Sequence, residues 1–279
     1  MEADIPRRED VGSVPTAEPR RLGRFVVTFG LVLLAAEAQL RLIGMAQTEV
    51  GWTAFDYGLS YQWAGFAAAL TNGLLSLLAL VALFGFFEWR QAEFRNFKER
   101  YFEGLVYGST ALVIAAIVQT FAFSAISGLE IDPILRADDL GPLLIAFPVV
   151  FMIVIGFFEY WLHRALHDIP ILWRLHAIHH QIEEMNAARS YSHWAQDTLY
   201  LAVITIPLVF LIENPQEHVA LLTTFYLVSN YYMHTDNPAM SFPPVLRHVF
   251  ADNIYHHYHH SRSVEHWGRN YCSFFSFYD

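Results

Sequence analysis

The sequence predicts an all-α fold of multi-pass membrane helices, about four spans plus a helical hairpin, with a histidine-rich cap on the cytoplasmic side. Three observations predict it. Charged residues make up 16% of the 279-residue chain and hydrophobic ones 54%, whereas about a quarter of an ordinary soluble domain is charged. The apolar residues gather into runs long enough to cross a bilayer, which takes about 20 helical residues. Basic residues alternate between the loops, as the positive-inside tendency requires of a membrane path.

The elements follow in order. Residues 1–23, with several Pro, Arg and Glu, are expected to form a disordered cytoplasmic tail. They lack the apolar core and small-residue cleavage site of a signal peptide. Residues 24–140 read as N-terminal membrane helices, with apolar stretches at 24–46, 61–87 and 105–128. Glu37 and Arg41 lie four apart in the first stretch and share a helical face; they read as an interfacial ion pair. A fourth stretch, 141–162, opens the second unit, 141–279, which carries the histidine motifs. Two shorter stretches, 199–212 and 217–233, are split by "ENPQE" and read as the hairpin.

Orientation comes from the loops. Arg7, Arg8, Arg20, Arg21 and Arg24 precede the first span, and residues 47–60 hold no Lys or Arg. Arg90, Arg95, Lys98 and Arg100 follow the second span, only Arg136 follows the third, and Arg164, Arg174 and Arg189 accompany the histidines. The N-terminus and the histidine region are therefore expected on the cytoplasmic side.

Composition narrows the chemistry. A net charge of −10 excludes the basic footprint that phosphate binding needs, so no nucleic-acid partner is expected. Cys272 is the only cysteine, which excludes an internal disulfide and a cysteine-rich metal site. Any metal must be held by histidine and carboxylate. "HRALH" supplies His163 and His167, "HAIHH" supplies His176, His179 and His180, and "HHYHH" supplies His256, His259 and His260. Residues three and four apart share a helical face, so each cluster is expected to aim its imidazoles at one point. The hairpin returns the chain to the same side and delivers His234 and the last cluster to the first two.

A lone histidine beside a membrane helix is most often an interfacial polar residue, but three clusters at these spacings are not. Eight such histidines exceed the ligand set of one zinc, which has about four ligands. Two ions fit the count, with iron, zinc and copper all suited to imidazole. His218, at the far end of the hairpin, reads as a non-ligand, as do His248, His257 and His266, which lack the spacing.

These motifs, following membrane helices, resemble those of the fatty acid hydroxylase and sterol desaturase superfamily of integral-membrane di-iron oxygenases. The resemblance covers residues 145–279. It implies a metal-binding role for His163, His167, His176, His179, His180, His256, His259 and His260. It extends the role to His234 in "YYMHTDN" and to His193 in "RSYSHWAQD", although Trp194 stands where the family has proline. Asn270, Tyr271 and Cys272 are similar to the family's Asn-Tyr-Gly. Tyr278 and Asp279 are similar to its Trp-Asp, after which a short further segment is expected. No catalytic side chain beyond the metal ligands is implied.

The resemblance implies a hydroxylase or desaturase that attacks a lipid C–H bond with two iron ions, O2 and two external electrons. Zinc is expected to replace iron in some preparations. Breaking such a bond needs an oxidant beyond any side chain, and the membrane lets an apolar substrate slide to metals at its surface. A cytochrome b5-like protein, a ferredoxin or a reductase would supply the electrons. Glu159, Asp168, Asp197, Asp236 and Asp252 lie near the motifs and are candidates to orient imidazoles through their second N–H, each alone being as readily a helix cap or surface charge. The rival from another class is a divalent-metal transporter or store; intramembrane carboxylates and broken helices would mark it, whereas these histidines lie outside the spans. No basic retrieval signal ends the chain, which favours a bacterial plasma membrane over the endoplasmic reticulum.

Overall fold

A computed structural model of the chain describes residue 30 and residues 61–89, 97–127, 132–182, 184–213 and 216–279. Among them the regular structure is helical, and the only strand-like feature is one isolated bridge between Leu135 and Ile212. The elements are α1 (Tyr61–Trp89), α2 (Phe97–Ser127), α3 (Ala137–Leu140), α4 (Phe147–Asp168), α5 (Pro170–His180), α6 (Trp194–Tyr200), α7 (Ile206–Leu211), α8 (Gln216–His234) and α9 (Asn253–His259).

Three helical segments are long and apolar enough to cross a membrane: Ala69–Trp89, Tyr101–Ala122 and Phe147–Asp168. At a rise of about 1.5 Å per residue each matches the hydrocarbon thickness of a bilayer. Large apolar side chains such as Leu78, Phe86, Val106, Phe121, Val149 and Phe157 face outward from them. Exposed apolar surface on this scale needs lipid or protein to cover it. Apart from residue 30, the expected first span, 24–46, with Glu37 and Arg41, and the tail 1–23 lie outside the described residues.

Two boundaries differ from expectation. The fourth span starts at Phe147 rather than at 141, because Gly141 takes a left-handed φ of 48° and Pro142 follows it. It runs on through His163 and His167 to Asp168, since no breaker intervenes before Pro170. Ile169 is then held extended, at φ −102° and ψ 115°, as a residue before proline prefers. Pro170 opens α5 in a first-turn position where its missing N–H costs nothing. This single break turns α5 back against α4.

The hairpin has the expected arms. Its first arm runs through α6 and α7, joined by a wider π turn at Leu201–Thr205. Pro207 explains that turn, because its ring and missing N–H disturb the bonds to the preceding turn. The second arm is α8.

Two apolar cores hold most of the described helices, and a smaller one joins Tyr160 of α4 to Tyr271 and Cys272. In one, Leu77, Leu80, Val81 and Phe84 of α1 pack with Tyr101 of α2, Ala187, Ala188 and Tyr231. In the other, Phe147, Phe151 and Leu162 of α4 pack with Ile204, Leu208 and Leu222 of the hairpin. The histidines lie at the shared end of both assemblies.

Candidate metal centre

Among the described residues nine histidines converge in two groups. His163, His167, His176, His180 and His259 form the first; His179, His234, His256 and His260 form the second. Within each, one ring nitrogen per residue lies within 4.8 Å of every other. The expectation that each cluster aims at one point fails for both HxxHH motifs. In each, the i and i+4 histidines stay together and the i+3 member crosses to the other group. At about 100° per residue, positions i and i+4 differ by only about 40°, whereas i+3 lies about 100° from i+4. The two motifs thus exchange one histidine each.

The other nitrogens are anchored. Nδ1 of His163 donates to the Tyr271 carbonyl at 2.7 Å, and that of His179 to the Tyr191 carbonyl at 2.9 Å. Nδ1 of His234 donates to the Asn230 carbonyl at 2.7 Å and that of His259 to the Arg269 carbonyl at 3.0 Å. The side-chain oxygen of Gln196 accepts from His176 at 2.9 Å. These oxygens can only accept, so each of these imidazoles, when neutral, presents a lone pair at Nε2.

Those lone pairs face one another. Nε2 of His163 and His176 are 2.9 Å apart in the first group, and Nε2 of His179 and His234 are 3.2 Å apart in the second. Two neutral acceptors at that distance repel. Protonation does not relieve the second pair: burial pushes His179 down to about 4 and His234 well below its usual value. Burial and the neighbouring imidazoles push His176 well down too. A cation between the nitrogens removes the conflict. Metal–nitrogen bonds of about 2.1 Å place two ligands about 3.0 Å apart at right angles and about 3.4 Å apart at tetrahedral angles. The remaining close contacts fit the same spacing: His176–His180 at 3.0 Å, His179–His260 at 3.0 Å, His256–His260 at 3.1 Å and His234–His256 at 3.2 Å. Nε2 of His259 and of His167 is buried without a partner, as a donor aimed at a cation would be. The donor set fits two metal ions.

The C-terminal segment shapes the first group. Asn270 has a φ of 64°, a left-handed conformation that asparagine tolerates better than most side chains. That turn aims the carbonyls of Arg269 and Tyr271, on either side of it, at His259 and His163. Asn270 itself donates to the Tyr255 carbonyl, and the Asp279 carboxylate accepts from the Tyr255 hydroxyl.

The expected carboxylate partners are not the anchors. Asp168 pairs with Arg164 at 3.3 Å and Asp197 accepts from Ser192. Asp252 caps α9 through Tyr255 N and pairs with Arg247 at 2.7 Å. Glu159 is buried with Oε2 unpartnered. Asp236 joins the network through its backbone N–H. Backbone carbonyls serve instead, those of Tyr191, Arg269 and Tyr271 from the turns after α5 and α9 and that of Asn230 from within α8, without burying a charge.

His193 stands outside both groups; its Nδ1 accepts from Ala195 N at 3.1 Å and caps α6. His257 is also in neither group, with Nε2 unpartnered. His266 pairs with the Ser261 hydroxyl at 2.8 Å, and His248 lies in a short turn away from both. The side chain of His218 lies outside the described residues. Sequence reasoning missed Gln196 and Glu88. The signal for Gln196 was a polar residue three after His193 on an amphipathic turn; for Glu88 it was a lone acid closing an apolar run. A cavity of about 30 Å³ adjoins His234 and His256, lined also by Tyr226, Ser229, Met233 and Phe274.

Comparison with known proteins agrees with the motifs. Residues 148–279 match the fatty acid hydroxylase family. A methylsterol monooxygenase, erg25A, of Aspergillus fumigatus is 29% identical over 135 residues, covering 47% of this chain and 44% of that protein. An alkylglycerol monooxygenase of Danio rerio is 27% identical over 120 residues, covering 43% of this chain and 26% of that one. The chain thus spans less than half the length of either relative. No solved structure matches it. By its histidine motifs and the match over residues 148–279, this part of the chain is similar to the fatty acid hydroxylase and sterol desaturase superfamily.

Proposed function

We propose that the chain is a membrane-bound di-iron oxygenase that hydroxylates or desaturates a C–H bond of a bilayer lipid, using O2 and two electrons from an external donor. The facing Nε2 lone pairs, one pair in each histidine group, carry the metal reading. His163, His167, His176, His180 and His259 would hold one ion, and His179, His234, His256 and His260 the other. Nine neutral imidazoles suit iron, and also zinc in an overloaded preparation. The bound ions would supply the O2 activation that no side chain offers.

The protein's own residues do the rest. The Nδ1 anchors fix ring orientation and the tautomer that turns Nε2 to the centre. The apolar helix faces admit a lipid laterally, and the cavity beside His234 and His256 leaves room at the second group. Hydroxylation consumes O2, two electrons and two protons, and releases one oxygen atom as water; desaturation releases both. A cytochrome b5-like protein, ferredoxin or reductase would deliver the electrons to the cytoplasmic face. The relatives' names, a methylsterol and an alkylglycerol monooxygenase, favour an apolar lipid over a soluble substrate. They give no support to metal transport or storage. In this reading 24–140 are membrane helices, 141–279 are catalytic, His193 is a tenth and peripheral histidine, and a bacterial plasma membrane is the compartment.

The test is metal analysis of gently purified protein alongside lipid product formation with and without O2. Two metals per chain and O2-dependent product are expected; active protein with one metal or none would defeat the reading.

A further inference from the structure

The N-terminal helices reach the second histidine group through one buried carboxylate. Glu88, in the last turn of α1, is fully buried. Its Oε1 accepts from the Thr235 hydroxyl at 2.7 Å, and from the backbone N–H of Asp236 and of Ala187 at 2.9 Å each. Thr235 and Asp236 directly follow His234, and Ala187 lies in the turn between α5 and α6. Beside it, the Phe87 carbonyl accepts from Asn237 Nδ2 at 3.1 Å. Asn253, the first residue of α9, donates to the carbonyls of Thr235 and Asn237 at 3.1 and 2.9 Å. One point therefore ties the end of α1 to the chain after His234 and to the helix that carries His256.

We propose that Glu88 is a positioning residue that sets the second histidine group for metal binding, so that the N-terminal helices help build the centre. The proposal rests on the di-metal reading and extends it to a residue outside the matched segment 148–279. A leucine would fill this space between helices without a polar cost, and Glu88 Oε2 is buried with no partner. The other oxygen explains the acid: a carboxylate oxygen accepts several converging donors at once, and three converge here. The first group is anchored by Tyr271, Arg269 and Gln196, all within the matched segment. Loss of Glu88 is therefore selective for one ion.

The experiment loads the full-length protein in detergent with iron and follows release of each equivalent to a chelator. The variants are Glu88→Ala, Thr235→Val, which removes one of the three donors, and Glu88→Gln, which keeps an acceptor at Oε1. Loss of an orienting partner typically weakens a metal site by about 10- to 100-fold. In Glu88→Ala, one equivalent should leave faster by about that factor while the other leaves at the wild-type rate. Thr235→Val should show the same selectivity more weakly, and Glu88→Gln should recover slower release. Wild-type release of both equivalents in Glu88→Ala and Thr235→Val, or equal acceleration of both, overturns the proposal. If Glu88→Ala fails to fold, Thr235→Val decides by the same criterion. A wild-type protein that never holds two ions refutes the di-metal reading itself, and this proposal with it; two ions with unaffected variants refute Glu88 alone.

Discussion

His176 and His179 belong to different histidine groups although they lie only three positions apart, and the consequence can be measured by pairing variants. Each single alanine variant should lose one metal and turnover. His179→Ala with His256→Ala should still lose only one metal, because both residues serve the second group. His179→Ala with His176→Ala should lose both, although these two are the closer in sequence. His257→Ala should keep both metals and most of the activity. Metal counts per chain decide it; loss of two metals in the His179/His256 pair would break the assignment. Asn270 makes a second residue-scale case. Asn270→Gly should be tolerated at its φ of 64°. Asn270→Val should destabilise the C-terminal turn by about 1–2 kcal/mol, the cost of a left-handed residue, with loss of metal from the first group; equal thermal midpoints for the two variants would argue against it.

At the scale of elements, breaks matter more than helices. Pro170 separates α4 from α5 and folds the HxxxH motif onto the first HxxHH motif. The short α6, capped by His193, exists in this arrangement to present Gln196 to His176. Gln196→Leu should therefore weaken metal binding at the first group by about 10- to 100-fold, and Gln196→Glu should restore it. Chelator competition checks this, and an unchanged Gln196→Leu variant would show that His176 needs no anchor. The π turn before Pro207 leaves the hairpin's first arm continuous, so Ile204 and Leu208 still meet α4.

At the scale of the molecule, burial of many imidazoles sets a pH dependence. Burial holds His179 down to about 4 and His259 to about 3, below the unfolded value of about 6.5. As pH falls below about 6.5 the unfolded chain takes up protons that the folded chain does not, so stability is lost on acidification. Each such group costs the fold stability progressively on acidification until its folded value is reached. The metal-free protein should thus lose thermal stability steeply between pH 6.5 and 4, as midpoints across that range would report; a flat profile would contradict the buried neutral state. Topology is the other test at this scale. Cys272 is buried, so a cysteine introduced at Ile134 or Glu184 gives a clean label. The first should react from outside and the second from the cytoplasm; the reverse would invert the orientation.

Much of this was legible before any fold was known. Membrane class, the three described spans, the hairpin and the identity of the histidine clusters follow from apolar run length and spacing, because bilayer thickness and helical repeat act locally on a chain. Which histidines group together did not follow. Spacing at i, i+3 and i+4 puts three imidazoles near one face, but the assignment turns on about 100° of rotation between partners, and that is set by how α4, α5, α8 and α9 pack. The anchors were equally hidden, because a backbone carbonyl carries no mark in the sequence: the Tyr271 carbonyl meets His163 across 108 residues. Glu88 reaches Thr235 across 147 residues. The sequence by itself determined the histidine clusters and the solvent they sit in; only tertiary packing decided how the histidines divide and what holds them, because rotation and long-range contact are properties of helices already in place.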